Sequence, residues 1–544
     1  MRNQRFKLAY LTVFFSITTL HVWGVADKFR AIWQDNPSSS ITIGWNQVSG
    51  SDPVLLLDVN DFGKNAAEYG LARRPDRIQP AKGMNNHFVR LEGLMPNTTY
   101  FFLIKDSEGV SERMFFTTAP NTPNHRLSII AGGDSRNHRE ARRDANLLAG
   151  KLRPHCILFG GDFTAGDKPE EWLEWFDDWQ LTIAPDGRMT PVVVTRGNHE
   201  ESNQSLIDLF DLHVPQAFYA FSLGGNLLRI YTLNTLIPVG GEQAAWLEND
   251  LRSNHQVTWK IAQYHHPMRP HTARKPERND LVSFWAPLFY KYNMNLAVEC
   301  DAHVAKSTYP LRPDNGPGSE EGFIRDDAGG TVFIGEGCWG APLRANDDDK
   351  SWTRASGSFN QFNWIFVDQH KIEVRTVKTD GADRVANIDP QNIFKAPRGL
   401  TIWSPPAGDV IIISSREAGI PGVAVEVLAA RGGLPSEPIF QKTLVEQSSH
   451  EEKDEAANWE SCPQIAIDPV SGEATVKYEL ADQSNILIKI INQKLQEVTR
   501  VELKNQPPKE YLRSLKLGYL PPGKYLAIVR DDRKILQRYR LVKR

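Results

Sequence analysis

The chain has 544 residues, of which 40% are hydrophobic and 24% charged, and its net charge is −3. At roughly 100–200 residues per domain, about three packed domains are expected. The composition excludes a disordered chain, and the near-neutral charge gives no electrostatic reason for nucleic acid as the main partner. Residues 1–26 have the layout of a signal peptide. Arg2, Arg5 and Lys7 form a basic head, Leu8 to Leu20 is apolar, and Gly24-Val25-Ala26 supplies the small residues of a cleavage site. An exported protein follows, whether periplasmic, cell-surface or secreted. The alternative is a retained anchor, although the run is short of the ~20 residues of a membrane span. Four cysteines in so long a chain do not make a disulfide framework, and whether Cys300 and Cys338 pair is left open.

Residues 27–118 hold short strand-like runs (SITIGWNQ, VLLLDVN, HFVRLEGL, TTYFFLIKDSEG) separated by Pro, Gly, Asn and Ser clusters, which predicts a β-sandwich. Residues 119–380 alternate differently. LSIIAGGD, CILFGGD and PVVVTRGNHE read as strands, with helical patterns in NHREARRDANLLAGKL and PEEWLEWFDDWQ between them. Nearly continuous apolar strands in β-α-β-α-β order predict an α/β sheet buried on both faces. WKIAQYHHP and NMNLAVEC are later strands of the same kind. Residues 381–405 read as a proline-bearing linker. Residues 406–544, whose first strand-like run is DVIIISSR, predict a second β-sandwich, with an acidic exposed loop near 448–460.

In open α/β sheets, ligands bind beyond the carboxyl ends of the strands. Five strand ends here carry ligand-type side chains: Asp134 with Arg136, Asp162, Asn198-His199-Glu200, His265-His266, and Asp301 with His303. A Gly-Asp turn or a lone His-His-Pro is weak evidence alone. Five in sequence argue for a metal centre.

The series GGDSR, GGDFTAGD, RGNHE, YHHP and DAH resembles the calcineurin-like metallophosphoesterases, in their purple-acid-phosphatase-like branch. LEGLMPNTTYFFLIKD, with Leu94, Pro96, Thr98 and Tyr100, resembles a fibronectin type III corner in front of that domain. The resemblance implies a four-layer α/β/β/α sandwich with two metal ions at the strand ends. It implies Asp134 on the first ion, Asp162 bridging both, and Asn198 and His265 on the second, with His266 as the alternative in another register. His199 would protonate the leaving group or hold the phosphate. The implied reaction is hydrolysis of phosphate mono- or diesters of small molecules by a hydroxide held between the metals, with Mn, Fe or Zn suited to the mixed oxygen and nitrogen donors.

Three departures bear on that site. The family ends its ligand series with Gly-His-x-His, so His303 matches a ligand of the first metal and Asp301 stands in place of a histidine on the second. Arg136 replaces a histidine and is expected either to grip a phosphate oxygen or to pair with a helix acid. Ala165 replaces the tyrosine of purple acid phosphatases. Three carboxylates against two ions predict poorer Lewis acids. His138, Arg269, His271, Arg274 and Arg344 are further candidates for lining the pocket. Finally, residues 485–544, with Leu520, Pro521, Gly523 and Tyr525, resemble a type IX secretion sorting domain, and a plain immunoglobulin-like domain fits as well; cell-surface attachment is one expectation. Against catalysis stands one alternative, a binding protein on a degenerate phosphatase fold.

Overall fold

The computed structural model describes residues 26–415 and, beyond them, 464–467, 473–492, 497–517, 520, 523–531 and 535–543. The expected leader, the expected acidic loop and Cys462 lie outside the described residues. The chain divides after Leu428 into two compact units.

The α/β part of the first unit is built on two large sheets. In the larger, Leu127–Gly132, Cys156–Phe159 and Val192–Val194 lie parallel, with Ile157 opposite both Ile130 and Val192. Every residue of these strands is buried, as the continuous apolar runs require. The helices Arg139–Leu152 and Pro169–Trp179 are the crossovers. The second helix buries Trp172, Trp175, Phe176 and Trp179 on one stripe, at the spacing of an apolar helix face. Its other side carries Glu170 and Asp177.

The seven-stranded second sheet has at its centre the parallel strands Leu228–Thr232, Trp259–Gln263, Leu296–Glu299 and Val332–Gly335. Its two faces are legible from alternation. Ile230, Ile261, Val298 and Ile334 join the core shared with the first sheet. Tyr231, Ala262, Ala297 and Phe333 join a separate core with Leu247 and Trp285 from the outer helices. The layers are therefore helix, sheet, sheet, helix, as the resemblance implied. No helix among the described residues is long and apolar enough to cross a membrane.

The N-terminal residues form a sandwich. Val54–Asp58, Leu71–Arg73, Thr99–Lys105 and Met114–Thr117 make one sheet. The other, containing Ala26–Ile32, Ile41–Gln47, Arg77–Ala81 and Met84–Leu91, is continuous with the larger α/β sheet. Ile32 pairs with Val192, and Trp33 N–H donates to the Val192 carbonyl at 3.1 Å. The expected corner is present: Met95 N–H donates to the Tyr100 hydroxyl at 2.8 Å.

At the other end the structure differs from the expected linker and third domain. Ala382, Val385 and Ile388 are buried in the first core, and Thr401–Ile402 pairs with Lys371–Lys378. Ile411–Ser414, expected in the C-terminal sandwich, pairs with that same strand, Ile413 opposite Ile372. The first sheet had an open edge there, and an isoleucine-rich segment closes it.

The second unit, by itself, has a five-stranded sheet and a two-stranded ladder of Glu473–Glu479 with Glu510–Lys516. They enclose Val476, Ile488, Ile490, Leu515, Val529 and Leu541, and Leu520 and Tyr525 belong to this core.

Candidate metal centre

The ends of the strands hold their side chains through the backbone. Asp134 (φ 58), Asp162 (φ 54), Asp301 (φ 68) and His303 (φ 56) are all left-handed, a conformation that costs most residues energy and that Asp, Asn and His tolerate best. Neighbouring turns lock them there. Asp134 N–H donates to Gly161 O (2.9 Å) and Ser135 N–H to Asp162 O (3.1 Å). His303 N–H donates to Glu336 O (2.7 Å). Two glycines permit the packing. A Cβ on Gly161 would lie 2.3 Å from Gly197 N, and one on Gly337 only 1.8 Å from Asp134 Oδ2.

Asp134, Asp162, His265 and Asp301 converge, each offering a donor atom within 4.8 Å of the others, and all four are buried. His265 Nε2 is 3.2 Å from Asp162 Oδ1, 3.7 Å from Asp301 Oδ1 and 3.0 Å from Asn198 Oδ1. His303 joins through Asp134, its Nε2 3.1 Å from Oδ1. Asp301 N–H donates to the other oxygen, Oδ2, at 2.8 Å. His265 points into the cluster, whereas His266 Nδ1 meets Thr235 Oγ1 at 2.9 Å.

The donor set fits metal ions. His265 Nδ1 lies 2.8 Å from Gly160 O, and His303 Nδ1 2.8 Å from Pro342 O. Each Nδ1 must carry the proton it donates to a carbonyl, so each Nε2 lone pair faces the carboxylates, the arrangement of metal-ligating imidazoles. Asp162 Oδ2 is buried and has no hydrogen-bond partner. Donor atoms about 3 Å apart are the spacing of ligands at ~2.1 Å from one ion. The electrostatics agree. Burial, joined by the charges of Asp162 and Asp301, raises the Asp134 carboxyl well above the usual carboxylate range although His265 opposes it. Burial alone would lower His265, but Asp162, Asp134 and Asp301 raise it. A cluster that pushes its acid up and its imidazole up is short of positive charge.

His199 sits at the rim, its side chain 25% exposed. Its Nδ1 is 2.6 Å from Ala165 O, and its N–H donates to Asp162 Oδ1 at 2.9 Å. Nε2 is thereby aimed at Asp162 Oδ2, 3.7 Å away. Ala165 thus contributes its carbonyl where a tyrosine side chain is missing. Arg136 Nε is buried without a hydrogen-bond partner, and no ion pair of Arg136 is seen among the described residues. The helix acids instead hold other arginines: Arg139, Arg142 and Arg143 all reach Asp178.

Several residues at the centre were not assigned a part from sequence. Glu200 is fully buried and accepts from three backbone N–H groups, Gly197 (2.7 Å), Phe163 (2.9 Å) and Asp162 (3.1 Å), so it ties two strand-end turns together. Burial and Asp162 push its carboxyl up to about 8 against those bonds. Its place after Asn-His was the only signal. Lys275 Nζ donates to Asp301 Oδ1. Beneath the last strands, Lys306 Nζ donates to Glu299 (2.5 Å), Glu336 (2.6 Å) and Arg269 O (2.8 Å). This wholly buried network fixes the loops that bear His265 and His303. Of the softer candidates, Arg344 reaches the centre, donating from Nη1 to Asp301 O at 2.6 Å. Arg269 and His271 are buried in packing contacts, with His271 Nε2 2.7 Å from Thr353 Oγ1. His138 lies at a helix start and Arg274 is exposed. Trp339 is packed, donating to Asn146 Oδ1 at 2.7 Å. Cys300 and Cys338 are buried free thiols.

Residues 26–118 match the model of the purple acid phosphatase N-terminal domain, and residues 129–304 that of the calcineurin-like phosphoesterases. Among solved structures, a purple acid phosphatase isolated from yellow lupin (Lupinus luteus) seeds is 14% identical, with a TM-score of 0.55, over 69% of this chain and 76% of that one. A structure of PhoD is 13% identical, with a TM-score of 0.53, over 74% of this chain and 92% of that one. At these identities the likeness is one of fold. No curated protein sequence matches the chain.

Proposed function

From the premise that this chain is a metal-dependent phosphoester hydrolase, a calcineurin-like phosphoesterase domain behind a purple acid phosphatase N-terminal domain, we propose that it is an exported enzyme that hydrolyses small phosphate mono- or diesters at a binuclear centre. The observation that carries the reading is the convergence of Asp134, Asp162, His265 and Asp301 within 4.8 Å, with His303 and Asn198 beside them.

Asp134, Asp162 and His303 would hold one ion, and Asp162, Asn198, His265 and Asp301 the other. Bound there, two ions supply charge for the phosphoryl group in the transition state and acidify the attacking water. The protein does the rest. The backbone carbonyls of Gly160 and Pro342 fix the tautomers of the two ligand imidazoles. Glu200 ties together the two turns that carry Asp162 and Asn198-His199. His199, held at Nδ1 by Ala165 O, presents Nε2 at the open rim, placed to give a proton to a leaving oxygen. Arg136 has an unpartnered Nε and no competing carboxylate, which suits it to a phosphate oxygen. The leader layout of residues 1–26 supports export, and the C-terminal unit is the segment through which attachment to a cell surface would run.

The test is phosphate or nitrophenol release from 4-nitrophenyl phosphate and bis(4-nitrophenyl) phosphate after loading with Mn, Fe or Zn. Asp162→Asn, folded to the wild-type melting temperature, abolishes turnover of both. Unchanged turnover in that variant refutes the assignment.

A further inference from the structure

The carboxylate that replaces a histidine at the centre already has a cation. Lys275 Nζ donates to Asp301 Oδ1, the oxygen that lies 3.7 Å from His265 Nε2. The Asp301 side chain is 4% exposed and that of Lys275 20%. The lysine is not there by chance of a loose loop. Its segment is anchored on both sides: His271 N–H donates to Glu336 Oε2 (3.1 Å), Ala273 N–H to Asp347 Oδ1 (2.9 Å) and Arg278 N–H to Met268 O (3.1 Å). Lys275 N–H itself donates to Thr272 O at 3.2 Å. On the other side of Asp301, Arg344 holds only the backbone carbonyl. The acid therefore shares its charge with one ammonium, and the third carboxylate of the cluster is neutralised from within the chain.

Asp134 and Asp162 have no such partner: no lysine or arginine forms an ion pair with them among the described residues. An ammonium and a divalent ion on one carboxylate oxygen repel, and the repulsion is weakly screened in a buried site. Lysine is also the cation able to leave, because its charge sits on a flexible four-carbon stem that reaches solvent.

We propose that Lys275 is an internal counter-ion that makes the two metal positions unequal: the position bounded by Asp162, Asn198, His265 and Asp301 takes its ion only by displacing the lysine from Asp301. This rests on the metal-centre reading above. It assigns Lys275 a sign opposite to that of a mere anchor. An anchor for Asp301 strengthens metal binding, whereas a counter-ion weakens it.

The experiment is calorimetric titration of metal-stripped full-length protein with Mn²⁺, with elemental counting of retained ions, on wild type, Lys275→Met, Lys275→Gln and Lys275→Arg. Wild type is expected to hold one ion tightly and a second weakly. Both neutral variants tighten the second by at least about tenfold, and Lys275→Arg stays within about threefold of wild type. A second ion that binds no more tightly, or less tightly, in the folded neutral variants overturns the inference and leaves the enzyme reading standing. Failure of every form to bind any ion overturns both.

Discussion

Glu200 offers a quantitative test of how the centre is held. Its carboxylate accepts the N–H groups of Gly197, Asp162 and Phe163 in a fully buried place. In Glu200→Ala these three donors lose their acceptor at once. A buried donor left unsatisfied costs about 1–3 kcal/mol. With one of the three satisfied by a water in the vacated space, two remain, and the loss is about 2–6 kcal/mol. Glu200→Gln keeps one carbonyl oxygen but turns an amide N–H₂ towards a backbone donor, so about 1–3 kcal/mol is expected. Urea unfolding followed by tryptophan fluorescence reads the difference, since the transition reports on the core around Trp172, Trp175 and Trp179. Metal retention in Glu200→Ala falls along with stability, because the same turns present Asp162 and Asn198. An alanine variant within about 0.5 kcal/mol of wild type, the range of ordinary surface changes, would refute the reasoning.

Further outcomes follow from other contacts. Asp162→Asn loses metal affinity by more than the roughly 10–100-fold typical of an outer partner, which elemental counting after dialysis detects. His199→Ala keeps its metal and loses turnover by about 10²–10⁴-fold, with a greater loss for alkyl than for nitrophenyl leaving groups. His213 is held by Asp211 and Asp35 against the cost of burial, which lifts its imidazole to about 9. Its stabilising contribution is therefore complete below about pH 6.5 and lost as pH rises through about 9. The melting temperature of His213→Gln should accordingly converge on that of wild type towards alkaline pH. Lys306→Met leaves Glu299 and Glu336 buried without their cation, which costs about 3–5 kcal/mol and is relieved by adding Glu299→Gln and Glu336→Gln.

The strand ends were legible as a series, because five apolar runs in succession end in ligand-type side chains although no single one of them is telling, and the structure brings Asp134, Asp162, His265 and Asp301 together. What stayed hidden depends on contacts between segments distant in sequence. Nothing in RPHTARKPERND separates Lys275 from the arginines beside it, and only the folded loop chooses it. Lys306 and Glu299 lie on strands that both pair with Gly335, and Glu336 follows that residue, so the three meet by sheet register. Glu200 was visible as an acid after Asn-His, but its three donors lie in the backbone, where side-chain identity carries no signal. The expected linker failed for a related reason. Prolines at 390 and 397 mark turns, yet the short apolar segments around them were needed to cover an open sheet edge.

The sheet that passes from Arg77–Ala81 through Val192–Val194 to Thr401–Ile402 has no seam at residue 119. Lys82 reaches across to Asp167, and Arg77 and Arg90 to Asp208 and Asp211. Trimming the chain to its phosphoesterase segment would therefore tear a sheet down its middle, leaving Val192–Val194 as a raw apolar edge and a row of acids without their bases. Such a fragment should clump in solution. Anyone hoping to transplant the hydrolase onto a new carrier must move the front sandwich with it, as one indivisible part.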